Sequence, residues 1–148
     1  MRAAIRQNLQ PKLQAAEDLL EGSTATTREL LRQVVGSWWS EYDRSQSKGI
    51  IKLLVSECRQ FPELGQFYVE EVMTRGRAFW RRLLERGIAR GELRALDIDA
   101  CLAVVTAPVT FLAIWQHSLG LYEKPSIDVG VYLETYIDVL FRGIESRP

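Results

Sequence analysis

The stretch LLVSECRQFPELGQFYVEEVMTRGRAFWRRLLERGIARGELRALDIDACLAVVTAP, from Leu53 to Pro108, decides the fold. Its apolar residues recur every three or four positions, as on one face of a helix, with no strand-like alternation of useful length. Pro62 suits the first turn of a helix, where its missing N–H would have had no partner. From Glu63 the residues Leu64, Phe67, Tyr68, Val72, Phe79, Trp80, Leu83 and Gly87 continue one pattern to about Arg90. At 1.5 Å per residue that helix is roughly 40 Å long. Gly91 is placed to end it, since glycine takes the left-handed conformation of a helix stop without strain. Asp97 or Asp99 can cap the helix that follows.

That fifth helix, Ala100 to about Leu119, divides into two unlike faces when turned at about 100° per residue. Ala100, Ala103, Thr106, Ala107, Thr110, Ala113 and Ser118 form a small-residue side, interrupted by Ile114. Cys101, Val105, Pro108, Leu112, Trp115 and Leu119 form a bulky side, with Phe111 at its edge. A small stripe lets another helix backbone approach closely, whereas a bulky face fills a core or lines a cavity. After the turn around Gly120 to Pro125, the last helix carries Val129, Leu133, Tyr136, Ile137, Leu140 and Ile144 at near-heptad spacing, with Asp138 and Arg142 as an i,i+4 pair. Two terminal helices with more apolar face than one small domain can cover suit a homodimer, because a twofold interface uses the same patch twice. The expected contact is Ala103, Ala107, Thr110, Ile114 and Ser118 on the fifth helix, and Leu133, Tyr136, Ile137, Leu140 and Ile144 on the sixth.

Upstream, Ile50, Ile51, Leu54, Cys58 and Phe61 share a stripe on a third helix that starts near Ser45 or Ser47 and stops before Pro62. The second helix runs to about Asp43 and opens on the capping-box signature Thr26 and Glu29. Its buried face reads Leu31, Val34, Val35, Trp38 and Tyr42, with Trp39 beside it. The first helix repeats Ile5, Leu9, Leu13, Ala16 and Leu20, has Pro11 as a kink, and ends at Gly22 and Ser23. It begins without a capping residue, which leads us to expect a longer helix upstream of Met1. The reading is an all-α bundle of about six helices, one domain over residues 1–148.

Composition narrows the function. The 19 basic and 19 acidic residues cancel, whereas a module that binds nucleic acid by neutralising phosphates usually has a basic excess. Cys58 and Cys101 lie far apart without metal-ligand spacing, which fits a reduced, cytoplasmic setting. The N-terminus has charges from Arg2 onward and no apolar core of a secretory signal. Residues 100–122 carry no formal charge, but the strongly apolar part ends near Trp115, short of the ~20 residues a membrane span needs. A buried central helix is the expectation, with no membrane partner.

Candidate chemistry is sparse. Trp38, Tyr42, Phe61, Phe67, Tyr68, Phe79, Trp80, Phe111 and Trp115, with Cys58 and Pro108 on the same stripes, could converge from four consecutive helices. They make either an aromatic core or an aromatic-walled cavity, the usual form of a small-molecule site. Glu57 lies at a stripe edge, where an ion pair with a neighbouring arginine is the simpler reading. His117, the only histidine, has no second metal ligand at helical spacing. Arg77, Arg81, Arg82, Arg86 and Arg90, interspersed with Glu85, read as a solvated face. No serine elbow, Cys/His pairing, phosphate-binding glycine loop or metalloprotease motif is present, so neither an enzyme nor a cofactor is expected.

The stretch from Leu53 to Pro108 resembles the C-terminal domains of tetracycline-repressor (TetR) family transcription regulators. There a helix ending in a Phe-Pro-Glu-Leu turn, here Phe61 to Leu64, precedes a long helix ending in Gly-x-x-Arg-Gly-Glu, here Gly87 to Glu92. The segment NLQPKLQAAEDLL, Asn8 to Leu20, resembles the helix that links such a domain to its DNA-binding head. The resemblance implies a ligand-binding and dimerisation domain, paired through its last two helices. Its effector would be small and apolar or aromatic, and operator DNA would be read only by an N-terminal helix-turn-helix domain absent from this chain. A stand-alone helical interaction module with no cavity is the alternative.

Overall fold

Proline, glycine and capping side chains divide the chain into six helical rods among the described residues. The computed structural model describes residues 2–44 and 48–147. Helix α1 comprises two segments, Arg2–Asn8 and Gln10–Gly22. They part at Leu9, two residues before Pro11, whose nitrogen has no proton for the carbonyl four residues back. Leu9 N still donates to Ile5 O at 2.9 Å and Leu13 N to Leu9 O at 3.2 Å, so the rod bends without separating.

Helix α2, Thr27–Arg44, opens on the expected capping box. Glu29 N donates to Thr26 Oγ1 at 3.2 Å and Thr26 N to Glu29 Oε2 at 3.3 Å. Leu30, Leu31, Val35, Trp39 and Tyr42 are buried, whereas Val34 and Trp38 are only half-buried. The core stripe is therefore turned slightly from the expected one, with Trp39 inside. Helix α3, Ile50–Glu57, follows Gly49, whose φ of 86° is natural only to glycine. The expected starts at Ser45 or Ser47 lie outside the described residues. The helix ends at Glu57, well short of Pro62, and so does not carry its stripe to Phe61, which is 42% exposed.

Helix α4 joins Pro62–Tyr68, a π-helical turn at Val69–Met73, and Thr74–Ala89. The wide turn inserts an extra residue, and Thr74 Oγ1 donates to Val69 O at 2.9 Å across it. The helix stops at Gly91, with φ of 75°, and the amides of Glu92 and Leu93 both return to Gly87 O at 2.9 and 3.1 Å. A Cβ on Gly87 would meet Leu93 Cδ1 at 2.5 Å, so glycine is what lets the chain fold back. Glu92 then accepts from Thr27 N at 2.5 Å, a carboxylate placed on the N-terminus of α2. Arg86 donates to Thr27 Oγ1 and to the carbonyls of Ser23 and Ala25. Here the Gly-x-x-Arg-Gly-Glu pattern is architectural, fastening the end of α4 to the start of α2.

Helix α5, Ile98–Trp115, is capped by Asp97, which accepts from Ala100 N at 3.1 Å. Of its residues only Leu102, Val105, Leu112 and Ala113 are buried, which corrects the expectation of a buried central helix. By length and composition alone α5 could cross a membrane. In the fold, its backbone around Pro108 is engaged by the next helix: Tyr132 Oη donates to Pro108 O at 2.7 Å and Tyr136 Oη to Val105 O. Helix α6, Val129–Ile144, is capped by Asp128 and lies along α2. Arg28 reaches Asp138 and Glu145 at 3.3 and 3.0 Å, and Arg32 reaches Glu134 at 3.2 Å. The expected Asp138–Arg142 pair is present at 2.9 Å. Apart from a single antiparallel bridge between Leu93 and Glu145, no strand occurs among the described residues.

Candidate functional site

Helices α1 to α5 line an open cavity of about 390 Å³, within the roughly 300–1,000 Å³ usual for small-molecule sites. Helix α1 contributes Lys12, Leu13 and Ala16, α2 contributes Val34, Val35 and Trp38, and α3 contributes Ile51. The far wall is α4, with Tyr68, Val72, Met73, Gly76, Arg77, Phe79 and Trp80. The small side chains of α5 leave the space: Ala103, Thr106, Ala107 and Thr110, with Val109, form its part of the wall, and Ala103, Ala107 and Thr110 are exposed there. Gly76 on α4 adds to it, since even a Cβ there would come no closer than 3.9 Å to Leu13. The π-helical turn lies in the same wall and brings both Val72 and Met73 to the cavity.

Of the residues expected around a ligand, the structure brings Trp38, Tyr68, Phe79 and Trp80 together at the cavity. Tyr42 lies behind this wall, stacked on Trp38 with ring centres 5.1 Å apart, and its hydroxyl accepts from Gly49 N at 2.9 Å. Phe67 is buried under the guanidinium groups of Arg2 and Arg6. Cys58 is half-buried beside Gly65, and Phe61 is exposed because α3 has already ended. Pro108, Phe111 and Trp115 are placed away from the cavity by the orientation of α5. Phe111 and Trp115 stack on each other at 5.2 Å, and Trp115 Nε1 donates to Glu123 at 2.5 Å.

The residues expected at a dimer contact are likewise divided. Ala103, Ala107 and Thr110 belong to the cavity wall. Ile114 and Ser118 are half-buried, with Ser118 Oγ donating to Ile114 O at 2.7 Å. Leu133, Tyr136, Ile137 and Ile144 are buried within the protomer, because the heptad-spaced stripe of α6 faces its own core. Leu140 is half-buried and, with Tyr136, reaches the floor of an outer groove between α5 and α6. Exposed along that groove are Val104, Val131 and Val139, at 67%, 64% and 65%, beside the half-buried Pro108.

Few polar groups reach the cavity. Thr106 and Thr110 donate their hydroxyl protons to Leu102 O and Thr106 O in their own helix, at 2.8 and 3.2 Å. The Tyr68 hydroxyl has no hydrogen-bond partner among the described residues, and burial pushes its pKa up to about 12, so it remains a neutral donor. Lys12, absent from the expected site, is buried on the apolar stripe of α1 between Leu9 and Ala16. A lysine in that stripe was the available signal. The arginines of α4 mostly find partners: Arg81 with Asp99, Arg82 with Glu21 at 3.5 Å, Arg90 with Glu92 at 2.5 Å, and Arg86 in the α1–α2 loop. Arg77 has none among the described residues and lies at the cavity instead. Glu57 is half-buried without an ion pair among the described residues. His117 packs edge-on against Tyr42, and burial lowers its pKa. Among the described residues no group of three or more His, Cys, Asp or Glu could hold a metal ion.

A family model described as the tetracyclin repressor-like C-terminal domain matches residues 21–119, from the end of α1 through α5. No curated protein and no solved structure matches the chain significantly. Domains of this family generally dimerise and bind small-molecule effectors, and they are typically non-enzymatic. With a match over more than half its length, the chain belongs to the tetracycline-repressor-like C-terminal domains, the ligand-binding and dimerisation modules of transcription regulators.

Proposed function

We propose that this chain is the effector-sensing and pairing half of a cytoplasmic repressor, and that a small, largely apolar molecule in the cavity drives release from DNA. The observation that carries this reading is the participation of α1 in the cavity wall through Lys12, Leu13 and Ala16. In the full-length protein α1 would continue into a helix-turn-helix head. On its outer side α1 is tied to α4 by a polar row: Gln10 to Glu71 at 2.8 Å, and Arg75 to Gln14 and Glu17 at 2.6 and 2.8 Å. A ligand between the same two helices therefore contacts both ends of a lever. It shifts the spacing of two heads only to the extent that it binds one placement of α1 more tightly than the other.

Pairing of the heads requires two copies. The uncovered valines of α5 and α6 supply an apolar surface that a second copy would cover by twofold symmetry. The decisive experiment restores an upstream helix-turn-helix and measures operator affinity with and without a compound that occupies the cavity. The expected change is at least about fivefold, the lower end of ordinary coupling between sites. Unchanged operator affinity at saturating compound would sink the reading.

A further inference from the structure

The charge lining the cavity is one-sided. Lys12 and the exposed Arg77 contribute cationic side chains and Tyr68 a free hydroxyl donor; no aspartate or glutamate lines this wall, and Glu41 lines the small adjoining cleft that shares Lys12, Ala16, Val34 and Trp38 with it. Lys12 is 8% exposed, yet its ammonium has no hydrogen-bond or ion-pair partner among the described residues. Its nearest compensation is the face of the Tyr42 ring, 5.8 Å away, and a cation over an aromatic ring recovers only part of what burial removes. The carboxylate that acts on it most, Glu41, lies across on α2 beyond ion-pair distance. Burial depresses the Lys12 pKa and Glu41 partly restores it, while the ammonium nitrogen itself keeps contact with solvent.

We propose that the cavity takes an organic anion, an apolar aromatic or aliphatic body with one carboxylate or sulfonate, whose head group pairs with Lys12. The apolar walls of α2, α4 and α5 hold the body, and Tyr68 and Arg77 add donors to the head group. An anion gives the Lys12 ammonium a charge-assisted acceptor, stronger than a neutral one, and meets no carboxylate in the wall itself. This inference rests on the effector reading above, and the experiment separates the two.

The test uses a pair of fluorescent probes that differ in one charge: 8-anilinonaphthalene-1-sulfonate and the neutral N-phenyl-1-naphthylamine. The intact chain is expected to bind the sulfonate about tenfold more tightly than the neutral probe. Lys12→Met is expected to lose that tenfold for the sulfonate while its affinity for the neutral probe stays within about twofold, with an unchanged far-ultraviolet circular dichroism spectrum. Ala107→Phe, which fills the cavity, is expected to lose both probes, locating them there. Competition by decanoate and 1-naphthoate, against decanol and 1-naphthalenemethanol, distinguishes a chain-like body from an aromatic one. Equal affinity for the two probes, or an equal loss of both in Lys12→Met, overturns the anion while leaving the cavity's role intact. If neither probe binds, or both survive Ala107→Phe, the effector reading itself fails.

Discussion

Outside its buried core face, helix α5 has two apolar faces with different surroundings. The inner one, Ala103, Thr106, Ala107 and Thr110, is made of small side chains and borders empty space. The outer one, Val104, Pro108 and Phe111, is made of larger side chains and faces outward, with Val104 67% and Phe111 45% exposed. A third face, Leu102, Val105 and Leu112, is large and buried in the core, as expected where large apolar groups gain most from burial. The contrast makes sense when each face is read with its complement. Small side chains leave a volume that a ligand fills, and exposed large ones gain their burial only against another molecule.

The strongest way to break that contrast is to charge the outer face. Val104→Glu combined with Val139→Glu places four carboxylates in a twofold interface, and like charges brought together there cost several kcal/mol. Both positions are about two-thirds exposed in the protomer, so folding should be undisturbed. Sedimentation velocity should show a monomer, with dimer affinity down by roughly a thousandfold, or about 4 kcal/mol. Probe binding in the cavity should persist. A double variant that remains a dimer would place the interface elsewhere on the molecule.

Filling the inner face is the next largest perturbation. Ala107→Phe should reduce ligand affinity by about a hundredfold, close to 3 kcal/mol, and leave the dimer intact. If a large residue at Ala107 instead yields monomer, the small stripe is a helix-packing surface after all. A modest rise in Tm is also expected, because filling a void generally stabilises.

Much of this architecture was legible before any coordinates. The capping box at Thr26 and Glu29, the stop at Gly91 and the cap at Asp97 are local events, set by residues within a turn of one another, and each formed as the sequence indicates. The two-sidedness of α5 was legible as well, but which side faces inward depends on how α5 lies against α1, α2 and α4, and no local pattern records that. The aromatic wall was half legible for the same reason. Trp38 and Trp80 line the cavity, whereas Phe61 is lost to an early end of α3 and Phe111 to the orientation of α5. On α6 the heptad spacing correctly marked a packing face, yet the partner of Leu133 and Ile137 is the protomer's own core. Periodicity identifies a face without naming what covers it.

The smallest effect concerns the buried charge on the inner side, which has no matched partner among the described residues. Lys12 has a pKa depressed by burial, so the folded chain binds its proton less tightly than the unfolded chain does. The penalty for holding the ammonium is fully present below the folded pKa, and it is relieved as pH rises from there toward the ordinary lysine value of 10.5. Buried tyrosines oppose this at high pH: Tyr68, with its pKa pushed up to about 12, and Tyr136, also raised, favour the folded state less once the unfolded phenols ionise. Comparing two proteins that share those tyrosines isolates the lysine. Without ligand, Lys12→Met should be the more stable of the pair at pH 7 by about 1 kcal/mol, or roughly 3 °C in Tm for a chain of this size. That margin should shrink as pH approaches the lysine range. A saturating organic anion should reverse the order at pH 7, because it stabilises only the protein that binds it well. Thermal melts at three pH values, with and without the sulfonate probe, decide the matter. A variant no more stable than the parent in the absence of ligand would mean that the Lys12 ammonium is already satisfied, and the two faces of α5 would then differ in size and exposure but not in the charge they look upon.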